Sequence, residues 1–150
     1  MSYQEKSVTV SLVSYLLILG YYLTRIVNMF QDGGLVSSQL FGLWVIVIIA
    51  TILVNILGNI LANIVLSIVH AIRTRTGEVE RYIADERDRL IDLKGEKVAY
   101  ITFSVGVFLS MLAFALGQSA LVMFGLIIFF SISAEIVGSS RQIFLYRRGF

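Results

Sequence analysis

The stretch RTRTGEVERYIADERDRLIDLKGEK, residues 73–97, decides how the rest of the chain is read. Fourteen of its 25 residues are charged, seven of each sign. On both sides the chain is apolar almost without interruption. A dense hydrophilic island between two such halves is the aqueous loop of a membrane protein, and the side on which it lies fixes the topology.

Composition supports this reading. The chain has 150 residues, of which 57% are hydrophobic and 15% charged, too apolar for a soluble domain of that size. It has no cysteine, which excludes disulfides, thiolate chemistry and cysteine-bound metal. It has no proline, so no helix carries a proline kink. The formal net charge of +2 averages two very different zones and gives no reason to expect nucleic acid as a partner.

Outward from the island, four apolar runs are long enough to cross a hydrocarbon core of ~30 Å. The first covers about residues 8–30, and its far third carries Tyr21, Tyr22, Arg25 and Asn28, polar and aromatic groups suited to the headgroup zone. No small-residue cleavage site follows it, so it is expected to be a retained span rather than a signal peptide. Gln31 to Ser38 reads as a turn broken at Asp32-Gly33-Gly34. The second run, about residues 39–72, would reach roughly 50 Å as one helix, so it must tilt or project into water. The third covers about residues 98–116, Gly117-Gln118-Ser119 is a short turn, and the fourth covers about residues 120–143. Small residues four apart, Gly106/Ser110, Ala113/Gly117 and Ala134/Gly138, allow close helix approach.

The basic residues set an orientation. Eleven of the twelve Lys and Arg lie at Lys6, in residues 73–97, or at Arg141, Arg147 and Arg148. The two turns have none. Both termini and the central loop are therefore expected in the cytoplasm.

Within the island, Val79, Tyr82, Ile83, Leu90 and Leu93 fall on one helical face, and Glu78/Arg81, Glu86/Arg89 and Asp85/Arg89 stand at supporting spacings. This predicts a surface helix over about residues 78–94, lying on the bilayer or docking a partner. The expected fold is all-α: four transmembrane helices in two antiparallel hairpins, joined by a cytoplasmic amphipathic helix, in one domain.

Few residues can carry chemistry. Glu135 is the acid within a predicted span, ~22 Å along its helix from Ala120. Asn55, Asn59 and Asn63 form a stripe on the second helix that should face inward, since an unpaired amide in lipid is costly. Ser14 and Ser104 come to comparable depth. Glu135 with the asparagines reads as a proton- or cation-responsive site, or as a carboxyl that ties helices together. Arg25 can line an anion path, snorkel outward or pair with Asp32, but it is too far from Glu135 to pair with it. His70 stands alone, with no companion at a metal-ligand spacing. Asp85, Asp88 and Asp92 imitate an acidic metal motif, but each has an arginine close by and the glycines of lipid-linked transferases are missing. No metal, cofactor or catalytic residue is expected.

Asp85-Glu86-Arg87-Asp88-Arg89-Leu90-Ile91, the following Lys94, and Leu145-Tyr146-Arg147-Arg148-Gly149 resemble an uncharacterised family of small four-span bacterial inner-membrane proteins, with a DERD-type loop and a Tyr-Arg-Arg-Gly-type end. The resemblance covers about the second half of the chain. It implies a bacterial inner membrane and a place beside a regulator or a larger membrane system, and it supplies no activity. The leading expectation is a non-enzymatic accessory or regulatory subunit that docks a protein partner, or a further copy of itself, through Asp85, Glu86, Arg87, Asp88, Arg89 and Leu90. A small oligomeric transporter or channel using Glu135 and the asparagines is the alternative. A lipid-modifying enzyme is the third.

Overall fold

The computed structural model describes the backbone of residues 3–73 and 86–148, with side chains described for residue 5, 7–56 and 86–148. It holds four helices: α1 (Tyr3–Gln31), α2 (Ser37–Arg73), α3 (Glu86–Ala115) and α4 (Ala120–Arg148). All four are long and apolar enough to cross a membrane, so the chain is a multi-pass membrane protein by length and composition.

The sequence explains where the helices stop. At the end of α1, Gly33 and Gly34 take φ of 112° and 120°, conformations that favour glycine, and the Gly34 amide closes back on the Met29 carbonyl at 2.9 Å. At the end of α3, Gly117 has φ 96° and the Gln118 amide reaches the Ala113 carbonyl at 3.1 Å. Ser119 then opens α4, its hydroxyl accepting the Val122 amide at 3.3 Å. These two tight turns mark one end of the bundle, called here the turn end.

The opposite end carries the charges. Arg147 Nε donates to Glu5 Oε1 at 3.3 Å, which brings the end of α4 to the start of α1. Gly95 lies under the Gln142 side chain, so the charged first turns of α3 belong to this end as well.

α4 is the common partner, touching α1, α2 and α3, while α1 lies between α2 and α4. α3 rests mainly on α4, with no comparable seam to α1 or α2 among the described residues. The α3–α4 seam is made by small residues, as expected. Gly106, Ser110, Ala134 and Gly138 are all buried there. A Cβ on Gly138 would meet the Ala99 Cβ at 2.9 Å and the Gly95 carbonyl oxygen at 3.1 Å, and one on Gly106 would overlap Phe130. Ala113 is half-buried, and Gly117 serves the turn.

Toward the turn end the bundle is dry. Tyr22 and Met29 of α1, Leu40, Leu43 and Val47 of α2, and Ile128 and Ile132 of α4 form one cluster. Trp44 joins it through Phe124, ring centroids 5.9 Å apart. The outside is as apolar as the inside, with Leu17, Phe108 and Leu116 at 70%, 65% and 76% exposure, the inversion that lipid permits and water does not.

One expectation needs correction. Residues 86–94, read as part of a separate surface helix over 78–94, belong to α3 and run without a break into the apolar span. Nothing between Leu90 and Val98 stops a helix: the residues are good helix formers, and Gly95 is held by its packing against Gln142. The buried face also differs. Asp88, Ile91 and Gly95 turn inward, while Leu90 and Leu93 are half-exposed. Val79, Tyr82, Ile83 and Asp85 lie outside the described residues, as does His70 as a side chain.

Candidate functional site

The feature that stands out is a polar cleft of about 610 Å³ in the charged half of the bundle. It lies where α1 and α3 both lean on α4 with no comparable seam between them among the described residues. Each of the three helices turns a stripe of polar residues into it, spaced four apart so that they stack on one helical face. From α1 come Ser7, Ser11 and Tyr15. Asp92, Glu96 and Tyr100 come from α3, with Phe103 one turn further. Ser131, Glu135 and Ser139 come from α4, followed by Gln142 at the charged end. Asn55 reaches in from α2.

Glu135 is on the cleft wall and makes no hydrogen bond to a described residue. Tyr15 is 2% exposed, and its hydroxyl donates to Asn55 Oδ1 at 3.2 Å. The Asn55 amide in turn donates to the Thr51 carbonyl at 3.1 Å, which fixes the side chain's orientation. The buried phenol thus finds its partner in the exposed Asn55 amide at the edge of the cleft. Asp92 stands in the charged turns ahead of the apolar run. Burial, with Asp88 and Glu96 as like-charged neighbours, pushes its carboxyl up from its ordinary value.

The predicted intramembrane residues are therefore brought together in part. Glu135 and Asn55 share the cleft. Asn59 and Asn63 fall on α2 by backbone, but their side chains lie outside the described residues. Arg25 is elsewhere, in a second cavity of about 370 Å³ near the turn end, together with Tyr21, Asn28 and Asp32. Its guanidinium carbon is 5.9 Å from the Tyr21 ring centre, within cation–π range, and among the described residues no ion pair links it to Asp32. Of the predicted docking residues, Glu86, Arg87, Arg89 and Leu90 are exposed, whereas Asp88 is only 8% exposed and faces inward. Asp85 lies outside the described residues.

The sequence reading passed over most of the cleft. Ser14 and Ser104, noted for depth, bond to their own helices through Val10 and Tyr100 carbonyls at 2.9 Å. The lining comes instead from Ser7, Ser11, Tyr15, Glu96 and Ser139. Their signal was the four-residue repeat of polar side chains, present on three helices at once. Glu5, which anchors the two ends of the chain together, gave no signal, since an acid beside Lys6 at a terminus reads as solvated.

Among the described residues no three His, Cys, Asp or Glu side chains are grouped to hold a metal ion. Comparison with protein-family models, with curated proteins and with solved structures finds no match.

Proposed function

We propose that the chain is a four-span bacterial inner-membrane protein of two antiparallel hairpins, α1–α2 and α3–α4, that works as the protomer of a small oligomeric transporter or channel. The charged end faces the cytoplasm, with both termini and the connection around residues 74–85 on that side. The lopsided placement of Lys and Arg supports the orientation, and the resemblance of the DERD-type and Tyr-Arg-Arg-Gly-type segments supports the bacterial setting.

The observation that carries this reading is the convergence of three polar stripes, Glu135 among them, on one cleft that runs from the charged end into the apolar part of the bundle. A carboxyl and a run of hydroxyls at that depth are costly against lipid, and such groups mark ion or solute pathways. Because α1 and α3 form no extensive seam among the described residues, one copy leaves the cleft open along its side. A second copy closes the pathway in this proposal. Reconstituted into liposomes, the protein is expected to carry a cation or proton current that falls at least tenfold in Glu135→Gln. A current equal in both proteins, or none above empty liposomes, rejects the proposal.

A second reading has its own observation. Glu86, Arg87, Arg89 and Leu90 project from the start of α3 on its exposed side, a surface suited to docking a regulator or larger membrane partner. Charge reversal at Arg87 and Arg89 would then release a protein that co-purifies in mild detergent. If every co-purifying protein stays bound, this reading fails.

A further inference from the structure

The cleft has a consistent chemistry beyond its depth. Among the described residues three carboxylates border it, Asp92, Glu96 and Glu135, and no Lys, Arg or His does. The charge of its described wall is therefore one-sided, whereas the described helix ends mix both signs. Aromatic side chains contribute to the same wall, Tyr15, Tyr100 and Phe103. Rings and carboxylates together are the surroundings that hold an ammonium or guanidinium group, the first through the ring quadrupole and the second through charge-assisted hydrogen bonds.

A separate observation points to an occupant. Ser139 is only 9% exposed, borders the cleft, and makes no hydrogen bond among the described residues. Its neighbour in the stripe, Ser131, returns its hydroxyl to the Ile128 carbonyl at 2.8 Å. Ser139 is buried while its hydroxyl borders the cleft, so the partner it can still take comes from there.

Size separates organic from inorganic cations. A volume of about 610 Å³ lies within the ~300–1,000 Å³ of sites for organic ligands and far exceeds a dehydrated metal ion. The three carboxylates also are not grouped for metal coordination.

We infer that the cleft is a binding site for an organic cation, an ammonium or guanidinium group bearing an apolar body, held between Glu96 and Glu135 with Tyr100 and Phe103 against the apolar part. This rests on the reading of the cleft as the working site. The cation is either a free solute or the amine of an ethanolamine lipid headgroup, since both present the same chemistry.

The test is calorimetric titration of the full chain, purified in detergent, with benzyltrimethylammonium as the probe. Saturable binding of one probe per cleft is expected. Glu96→Gln and Glu135→Gln should each weaken it about tenfold, the loss of one charge-assisted contact. Glu135→Asp should retain most of the affinity, and Asp32→Asn, an equal charge change in the other cavity, should leave it unchanged. Repeating the titration in nanodiscs identifies the source. Added phosphatidylethanolamine that weakens the probe in a phosphatidylglycerol background marks the lipid amine as occupant, and no effect marks a soluble amine. The inference is overturned by a wild-type chain that binds no probe, or by equal binding in the Glu96→Gln/Glu135→Gln double variant. Binding without flux leaves this inference standing while the transport reading falls. Flux that the probe neither enters nor blocks does the reverse.

Discussion

Tyr15 and Tyr22 are two turns apart on the same face of α1, and they sit in opposite surroundings. Both are buried, at 2% and 3% exposure, and both send their hydroxyl to another helix. Tyr22 donates to the Gly125 carbonyl of α4 at 2.6 Å, inside the dry cluster of the turn half. Tyr15 donates to Asn55 of α2 at 3.2 Å, on the wall of the acidic cleft. The same residue thus serves as a lock in one half and as a wall in the other. What differs is the company on α4: Gly125 and Ile128 on one side, Ser131 and Glu135 on the other. The bundle is closed where its facing residues are apolar or small, and it parts where three helices present polar stripes.

The α3–α4 seam underlies both halves, so breaking it should have the largest effect. Gly138→Val places a branched side chain against Ala99 and the Gly95 carbonyl, and backbone cannot yield cheaply. It should lower stability by about 3 kcal/mol, read from unfolding titrations in mixed micelles. Tyr22→Phe removes the lock of the dry half and should cost about 1 kcal/mol in the same assay. Tyr15→Phe should cost less, about 0.5 kcal/mol, because the cleft already admits water to Asn55. Equal losses at the two tyrosines would erase the contrast between the halves. The smallest effect is expected at the ends of the chain. Arg147 is 66% exposed, so Glu5→Gln should change stability by only ~0.3 kcal/mol despite the well-formed ion pair.

How much of this was legible depends on which solvent wrote the signal. The spans were readable because a bilayer enforces long uninterrupted apolar runs, and the glycine turns were readable because Gly33, Gly34 and Gly117 take conformations that favour glycine. The helix ends were less so. α3 begins at Glu86, well before Val98, because helix propensity does not change where hydropathy does. Asp88 looked like a surface charge from its neighbours in sequence, but its face is set by the register of α3 on α4, fixed by Gly95 and Gly138. Glu135 and Asn55 were found because they are isolated polar groups in apolar runs. Ser11, Ser139 and Tyr15 were not, since each alone is ordinary in a membrane helix and only their convergence makes a site.

The two surroundings meet on α4 around Ile128 and Ser131, which face the dry cluster and the cleft, and this can be probed directly because the chain has no cysteine to interfere. Ile128 is 2% exposed in the dry cluster, and Ser131 borders the cleft less than one turn away. Single-cysteine variants Ile128→Cys and Ser131→Cys would be treated with a membrane-impermeant maleimide, in inverted vesicles and in right-side-out spheroplasts. The account predicts labelling of Ser131→Cys in inverted vesicles alone, and no labelling of Ile128→Cys in either. An unlabelled Ser131→Cys, or one labelled from the outside, would contradict a hydrated cleft that opens to the cytoplasm.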